Sequence, residues 1–166
     1  MCKHAIGEPT EYAEAALQAG LKGIIFTCHC PLPDKISASV RMSPVEYEFY
    51  HQIIRRTREI YEGRLDVRVG LESDYYPGVE PWLENLHQRH PLHHVLGSVH
   101  PQVSYYRNLY DVGSAFDYQK VYFEHLAESA ETRLFDTLAH PDLIKNMAPD
   151  EWDFGQIQPF MERALD

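Results

Sequence analysis

Apolar and polar positions alternate along this chain between two rhythms, one suited to helices and one to buried strands. Residues 9–19 are rich in helix formers and run into Gly20, a natural C-terminal stop. A short apolar run follows at 21–27, with Gly23-Ile24-Ile25-Phe26 inside it, and reads as a buried strand. Ser43-Pro44-Val45-Glu46 then opens a second helix: Ser43 is the cap, Pro44 takes the first helical position, and Glu46 completes a capping box. That helix should reach about residue 62 and stop at Gly63. The cycle repeats with a strand at 65–72, a helix at 81–89 and a strand at 94–99. A long loop comes next, then a helix over about 116–132, a strand at 134–139 and a last helix at 152–165. Strands separated by helical segments predict parallel strands with crossover helices, an α/β fold. Four strands and five helices, beginning with a helix, mean that the pattern starts mid-cycle.

Composition narrows the reading. A length of 166 residues fits one domain, and 44% hydrophobic with 24% charged residues supports a packed core. Acidic residues outnumber basic ones 25 to 15, for a net charge of −10, so nucleic acid is not an expected partner. Three cysteines, two of them flanking His29, do not form the framework of a disulfide-rich secreted domain. No apolar stretch approaches the ~20 residues of a membrane span, and Met-Cys-Lys-His lacks the apolar region of a signal peptide. A cytoplasmic protein is expected, with no membrane partner.

The candidate chemistry lies at the strand ends. His29 follows Ile24-Ile25-Phe26-Thr27, Glu72 follows Val69-Gly70-Leu71, His100 follows Ser98-Val99, and His140 follows Thr137-Leu138-Ala139. Parallel strands in α/β barrels converge at their C-terminal ends, so residues far apart in sequence should meet on one face. His4 sits just before the first helix, where a preceding strand would end, and can join them. Imidazoles and a carboxylate suit zinc, manganese or iron. One histidine at a strand end is ordinarily a hydrogen-bonding or surface residue; four strands ending in such groups tip the balance to metal. The remaining histidines read differently. His87, His90, His93 and His94 crowd a turn at the opposite face, and His51 and His125 lie within helices, where exposure is expected. Cys28 and Cys30 should point away from His29, because side chains alternate along an extended segment.

Several segments together carry a family likeness. Gly70-Leu71-Glu72-Ser73-Asp74-Tyr75-Tyr76-Pro77-Gly78, Gly97-Ser98-Val99-His100 and Ala139-His140-Pro141-Asp142-Leu143-Ile144-Lys145 closely resemble the histidinol phosphatases of the polymerase and histidinol phosphatase (PHP) superfamily. So do Phe26-Thr27-Cys28-His29-Cys30-Pro31-Leu32-Pro33 and Arg41-Met42-Ser43. The Pro-Leu-Pro and Arg-Met-Ser pieces are not expected of the polymerase-associated members.

The resemblance implies a distorted (β/α)7 TIM-like barrel, here an incomplete one, holding up to three divalent metal ions. Matched position by position, His4 and His29 would bind one ion. Glu72, the member with the central catalytic role, would bridge two others, and His100 and His140 would complete its second ion. Arg41, Arg107 and Lys145 would hold phosphate oxygens of a small phosphorylated substrate. The family's opening His-x-His strand and closing Asp-x-His ligands have no counterpart in this sequence, and Cys28 stands where an Asp is common. The expectation is therefore a single partial PHP domain over residues 1–166, lacking the first and last strands. Exposed barrel edges in such a chain would favour self-association, or completion by another chain. The implied activity is hydrolysis of histidinol phosphate to histidinol and phosphate, in histidine biosynthesis. For the chain as it stands, missing ligands predict little turnover. A non-catalytic metal-binding remnant and a PHP-type hydrolase of another phosphoester are the alternatives.

Overall fold

The computed structural model describes residue 3 and residues 5–165 of the chain. Two compact units emerge: unit 1 takes 1–72 and 86–95, and unit 2 takes 73–85 and 96–166. Strands contribute residues to both units. β1 (Gly23–His29), β2 (Asp66–Asp74), β3 (His94–Ser98) and β4 (Thr137–Leu138) form one four-stranded sheet in the order β1-β2-β3-β4. The β1–β2 and β3–β4 pairs are parallel, as helix-separated strands require.

Unit 1 is built from α1 (Pro9–Gln18), β1, α2 (Pro44–Ile60) and most of β2. α2 begins as its sequence dictates. Ser43 Oγ accepts from the Glu46 amide at 3.2 Å, and Glu46 returns a carboxylate to the Ser43 amide at 2.7 Å. These bonds satisfy amides that the first helical turn leaves unpaired, and they hold the Glu46 carboxyl below its usual range. The inner face of α2 buries Tyr47, Tyr50 and Ile54 beside Val67, Val69 and Leu71 of β2. Tyr50 anchors helix to sheet: its hydroxyl lies 2.7 Å from the Phe26 carbonyl and 3.0 Å from that of Gly70, its single proton shared between them. Gly70 is required on β2, since a Cβ there would run into the His94 carbonyl. The resulting register sets Thr27 against Gly70 and His29 against Glu72.

Unit 2 holds the end of β2, most of α3 (Glu80–Gln88), most of β3, α4 (Ser104–Tyr110), α5 (Ala115–Glu131), β4 and α6 (Phe154–Leu165). α5 packs against α6, where Phe116 meets Phe160, and Tyr122, Phe123, Leu126 and Ile157 are all essentially inaccessible to solvent. Gly97 of β3 admits the Phe135 ring, which would lie 2.6 Å from a Cβ at that position (measured to Cδ2).

Several findings depart from the sequence expectations. The segment expected to be a long loop contains α4, and β4 is two residues long where six were expected. His125, expected to be exposed, is 8% exposed. α5 explains the last of these: it packs on more than its α6 face, and Tyr106 of α4 meets His125 Nδ1 at 2.7 Å. His51 is likewise half-buried rather than exposed.

Candidate metal centre

Unit 1 brings together the first part of the expected ligand set. His29 closes β1 and Glu72 lies opposite it near the end of β2, with His29 Nδ1 3.7 Å from Glu72 Oε2. The next residue, Cys30, donates its amide to the Glu72 carbonyl at 2.8 Å, carrying the β1–β2 pairing one residue beyond the strand. His29 is 9% exposed, so its imidazole sits where water is scarce. Arg41, a residue expected to hold phosphate, is buried here and donates from Nη1 to the Cys30 carbonyl at 3.0 Å. Its guanidinium is thereby fixed one residue from His29. His4 lies outside the described residues.

Unit 2 holds the second part. His100 follows β3 and His140 follows β4; their rings have centroids 5.0 Å apart, and their candidate ligand atoms lie within 4.8 Å. His140 has φ +32°, a left-handed conformation that costs a non-glycine residue strain of order 1–3 kcal/mol. Tyr122 helps to hold that turn by donating its hydroxyl to the His140 carbonyl at 3.1 Å.

Beneath His100 sits a residue whose part the sequence reading missed. Asp74 Oδ2 lies 3.0 Å from His100 Nδ1, and both side chains are buried. A carboxylate accepts, so Nδ1 carries the proton and Nε2 keeps its lone pair for another partner. That is the usual arrangement beneath a metal-bound imidazole. The signal was available: Asp74 stands two residues beyond Glu72 on the same strand, so alternation puts both side chains on one face of β2. Ser98 Oγ adds a longer contact to the same Nδ1 at 3.4 Å.

The donors fit divalent metal: imidazoles and carboxylates, buried at strand ends, with one imidazole oriented by a carboxylate. Two other expected phosphate holders have local partners instead. Arg107 is exposed and gives both Nε and Nη2 to Asp111, at 3.1 and 2.8 Å. Lys145 lies on the short 3-10 turn Leu143–Met147, its Nζ 5.9 Å from the centroid of the Trp152 ring.

Comparison with known proteins gives a consistent picture. A family model described as the PHP domain matches residues 1–166. A "Probable histidinol-phosphatase" of Deinococcus radiodurans is 35% identical over 99% of this chain, which spans 63% of that relative's length. A histidinol-phosphatase of Bacillus subtilis is 35% identical over 80 residues, covering 45% of this chain and 30% of its own length. Among solved structures, a Lactococcus lactis histidinol phosphate phosphatase complexed with zinc, L-histidinol and phosphate superposes with a TM-score of 0.75 at 15% identity. That match covers 98% of this chain and 63% of the other. A Listeria monocytogenes structure assigned as a histidinol phosphatase gives 0.78 at 17% identity, over 98% of this chain and 72% of that one. At these identities the structural likeness establishes the fold.

Proposed function

The chain belongs to the PHP domain family, and from that premise we propose that it serves the metal-dependent hydrolysis of histidinol phosphate to histidinol and phosphate. The observation that carries this reading is the buried Asp74–His100 pair, whose geometry prepares an imidazole nitrogen for a metal ion. The 35% identity with the Deinococcus relative supports the substrate, and the zinc, histidinol and phosphate bound to the Lactococcus structure point the same way.

His4, His29, Glu72, His100 and His140 are the proposed protein ligands of zinc, manganese or iron, with Glu72 as the proposed bridging carboxylate. When bound, such ions acidify water toward neutral pH and neutralise the charge of the transferring phosphoryl group. The chain's own residues have separable tasks. Asp74 holds the His100 tautomer, while burial of His29 and His100 excludes competing water. Arg41 is the phosphate holder best supported by position, since its guanidinium is fixed beside the residue that follows His29. Its planar fork matches phosphate oxygens, which a single ammonium does not.

Phosphate release from histidinol phosphate, measured with added manganese or zinc, tests this directly. Stoichiometric L-histidinol and phosphate are expected, with p-nitrophenyl phosphate cleaved more slowly. Metal binding with no release from either compound would overturn the reading in favour of a non-catalytic metal-binding protein.

A further inference from the structure

Unit 1 contains a second concentration of basic and imidazole groups, well removed along the chain from His29 and Glu72. Where α2 passes the turn before β3, a cavity of about 330 Å³ is lined by Arg55, Arg58, His51, His90, His93 and Glu48, among others. Its floor touches Val69, three residues before Glu72 on β2 and so ~10 Å along the strand.

The two arginines are the notable members. Arg58 Nε donates to the Val67 carbonyl at 2.8 Å, and Nη2 lies 3.4 Å from His93 Nε2. His93 Nδ1 lies 3.2 Å from the Val69 carbonyl, which can only accept, so the ring proton is on Nδ1 and Nε2 accepts from Arg58. Both bonds hold the guanidinium in place. Of its five N–H groups, three have no protein acceptor among the described residues. Arg55, three residues earlier and on the same helical face, makes no hydrogen bond or ion pair among the described residues. The one carboxylate lining the cavity, Glu48, is already engaged by Arg89 at 2.6 Å and by His90 at 2.5 Å. A neighbouring cavity of about 500 Å³ also reaches Arg58, but there Glu59, Glu62 and Asp66 offset Lys22, Arg58 and Arg64, so it holds no excess of positive charge for an anion.

We propose that the 330 Å³ cavity binds a small phosphate-bearing anion, with Arg55 and Arg58 taking its oxygens, at a site separate from the Glu72 group. Guanidinium forks suit phosphate because two parallel N–H donors match two oxygens, and one of these forks is already fixed. The volume lies at the small end of ligand pockets, which matches a phosphomonoester or pyrophosphate and not a polymer. In a chain of net charge −10, such a site also offers anions a local exception to general repulsion.

Inorganic pyrophosphate is the probe, titrated into the whole chain after chelation of metals, with the His90 and His93 ring resonances followed by NMR. Sodium chloride at matched ionic strength is the reference. The Glu72→Gln variant serves as background, so that anion binding at the proposed metal centre does not contribute. Saturable shifts are expected, with affinity about tenfold weaker in Arg55→Ala and in Arg58→Lys, the loss of roughly one charge-assisted hydrogen bond. Arg55 is exposed and unpaired, so its truncation leaves the fold intact. Shifts no larger than chloride produces, or equal pyrophosphate affinity in Arg55→Ala and the unmodified chain, would overturn the proposal. Neither outcome bears on histidinol phosphate hydrolysis, which is measured with metal present.

Discussion

At the scale of single residues, the chemistry turns on two carboxylates of one strand with different tasks. Glu72, 3.7 Å from His29, is the proposed bridging ligand and in that role would supply negative charge to more than one ion. Glu72→Gln is therefore expected to lower metal content by elemental analysis further than any single histidine change; equal retention in variant and parent would refute bridging. Asp74 is proposed as a positioning residue, acting through its 3.0 Å contact with His100 Nδ1. Asp74→Asn keeps the shape but can turn its NH2 toward Nδ1, which favours the wrong tautomer. Its expected effect is 10–100-fold weaker metal binding, the usual cost of losing such a partner. A competition titration with a chromophoric chelator measures this, and unchanged affinity would show that Asp74 does not orient the ligand.

At the scale of elements, α5 makes the clearest pH prediction. Burial pushes the His125 imidazole down to about 4, and His51 on α2 is likewise lowered to about 4 by burial and the nearby His90. Their unfolded counterparts titrate near 6.5. Between those values the unfolded chain binds more protons than the folded one, so stability falls as pH drops from about 6.5 toward 4. The loss should be on the order of 2–3 kcal/mol for His125, at 1.36 kcal/mol per pH unit. Urea unfolding at pH 7 and pH 4.5 should show it, with a smaller drop in His125→Phe. On β2, Gly70→Ala should destabilise by roughly 2 kcal/mol or more, because the obstacle is the His94 backbone carbonyl and not a movable side chain.

The elements also show what the sequence could and could not convey. β1, α2, β2 and β3 were legible because each has a clean apolar run or a capping box, and the expected ligands at their ends followed from them. α4 was not, because Ser104-Tyr105-Tyr106-Arg107-Asn108-Leu109-Tyr110 is rich in weak helix formers and Val103 supplies no side-chain cap. Its helix depends on tertiary contacts, chiefly Tyr106 against His125. The same contact explains the misplacement of His125, since a polar residue in an amphipathic helix reads as exposed until its partner is known. β4 looked long because Leu134 and Phe135 continue its apolar run, whereas the Phe135 ring serves instead to pack on Gly97. Spacing puts Asp74 on the same face of β2 as Glu72, but its pairing with His100, 26 residues away, is visible only as a distance in the fold.

At the scale of the whole molecule, metal should act on folding as well as on chemistry. The proposed ligands come from β1, β2 and the segments after β3 and β4, so an ion that binds only the folded chain would stabilise the elements that hold it. At a hundredfold excess over Kd the gain is ~2.7 kcal/mol. Calorimetry should show a higher Tm with zinc or manganese, and the rise should vanish in Glu72→Gln; a metal-independent Tm would argue against this coupling. Among the described residues no helix is long and apolar enough to cross a membrane.

β2 has one further implication, for which changes of length the chain tolerates. Glu72 and Asp74 share a face only because an even number of steps separates them, and Gly70 must stay opposite Thr27 to pass the His94 carbonyl. Deleting or inserting one residue between positions 66 and 72 reverses inside and outside for every residue on one side of the change. Insertions of the same size in the turn around Gly63, where an added Cβ meets nothing, leave that parity intact. Length variation among functional versions of this chain should therefore fall in its turns and avoid β2, a pattern that random insertion with selection for metal binding can reveal.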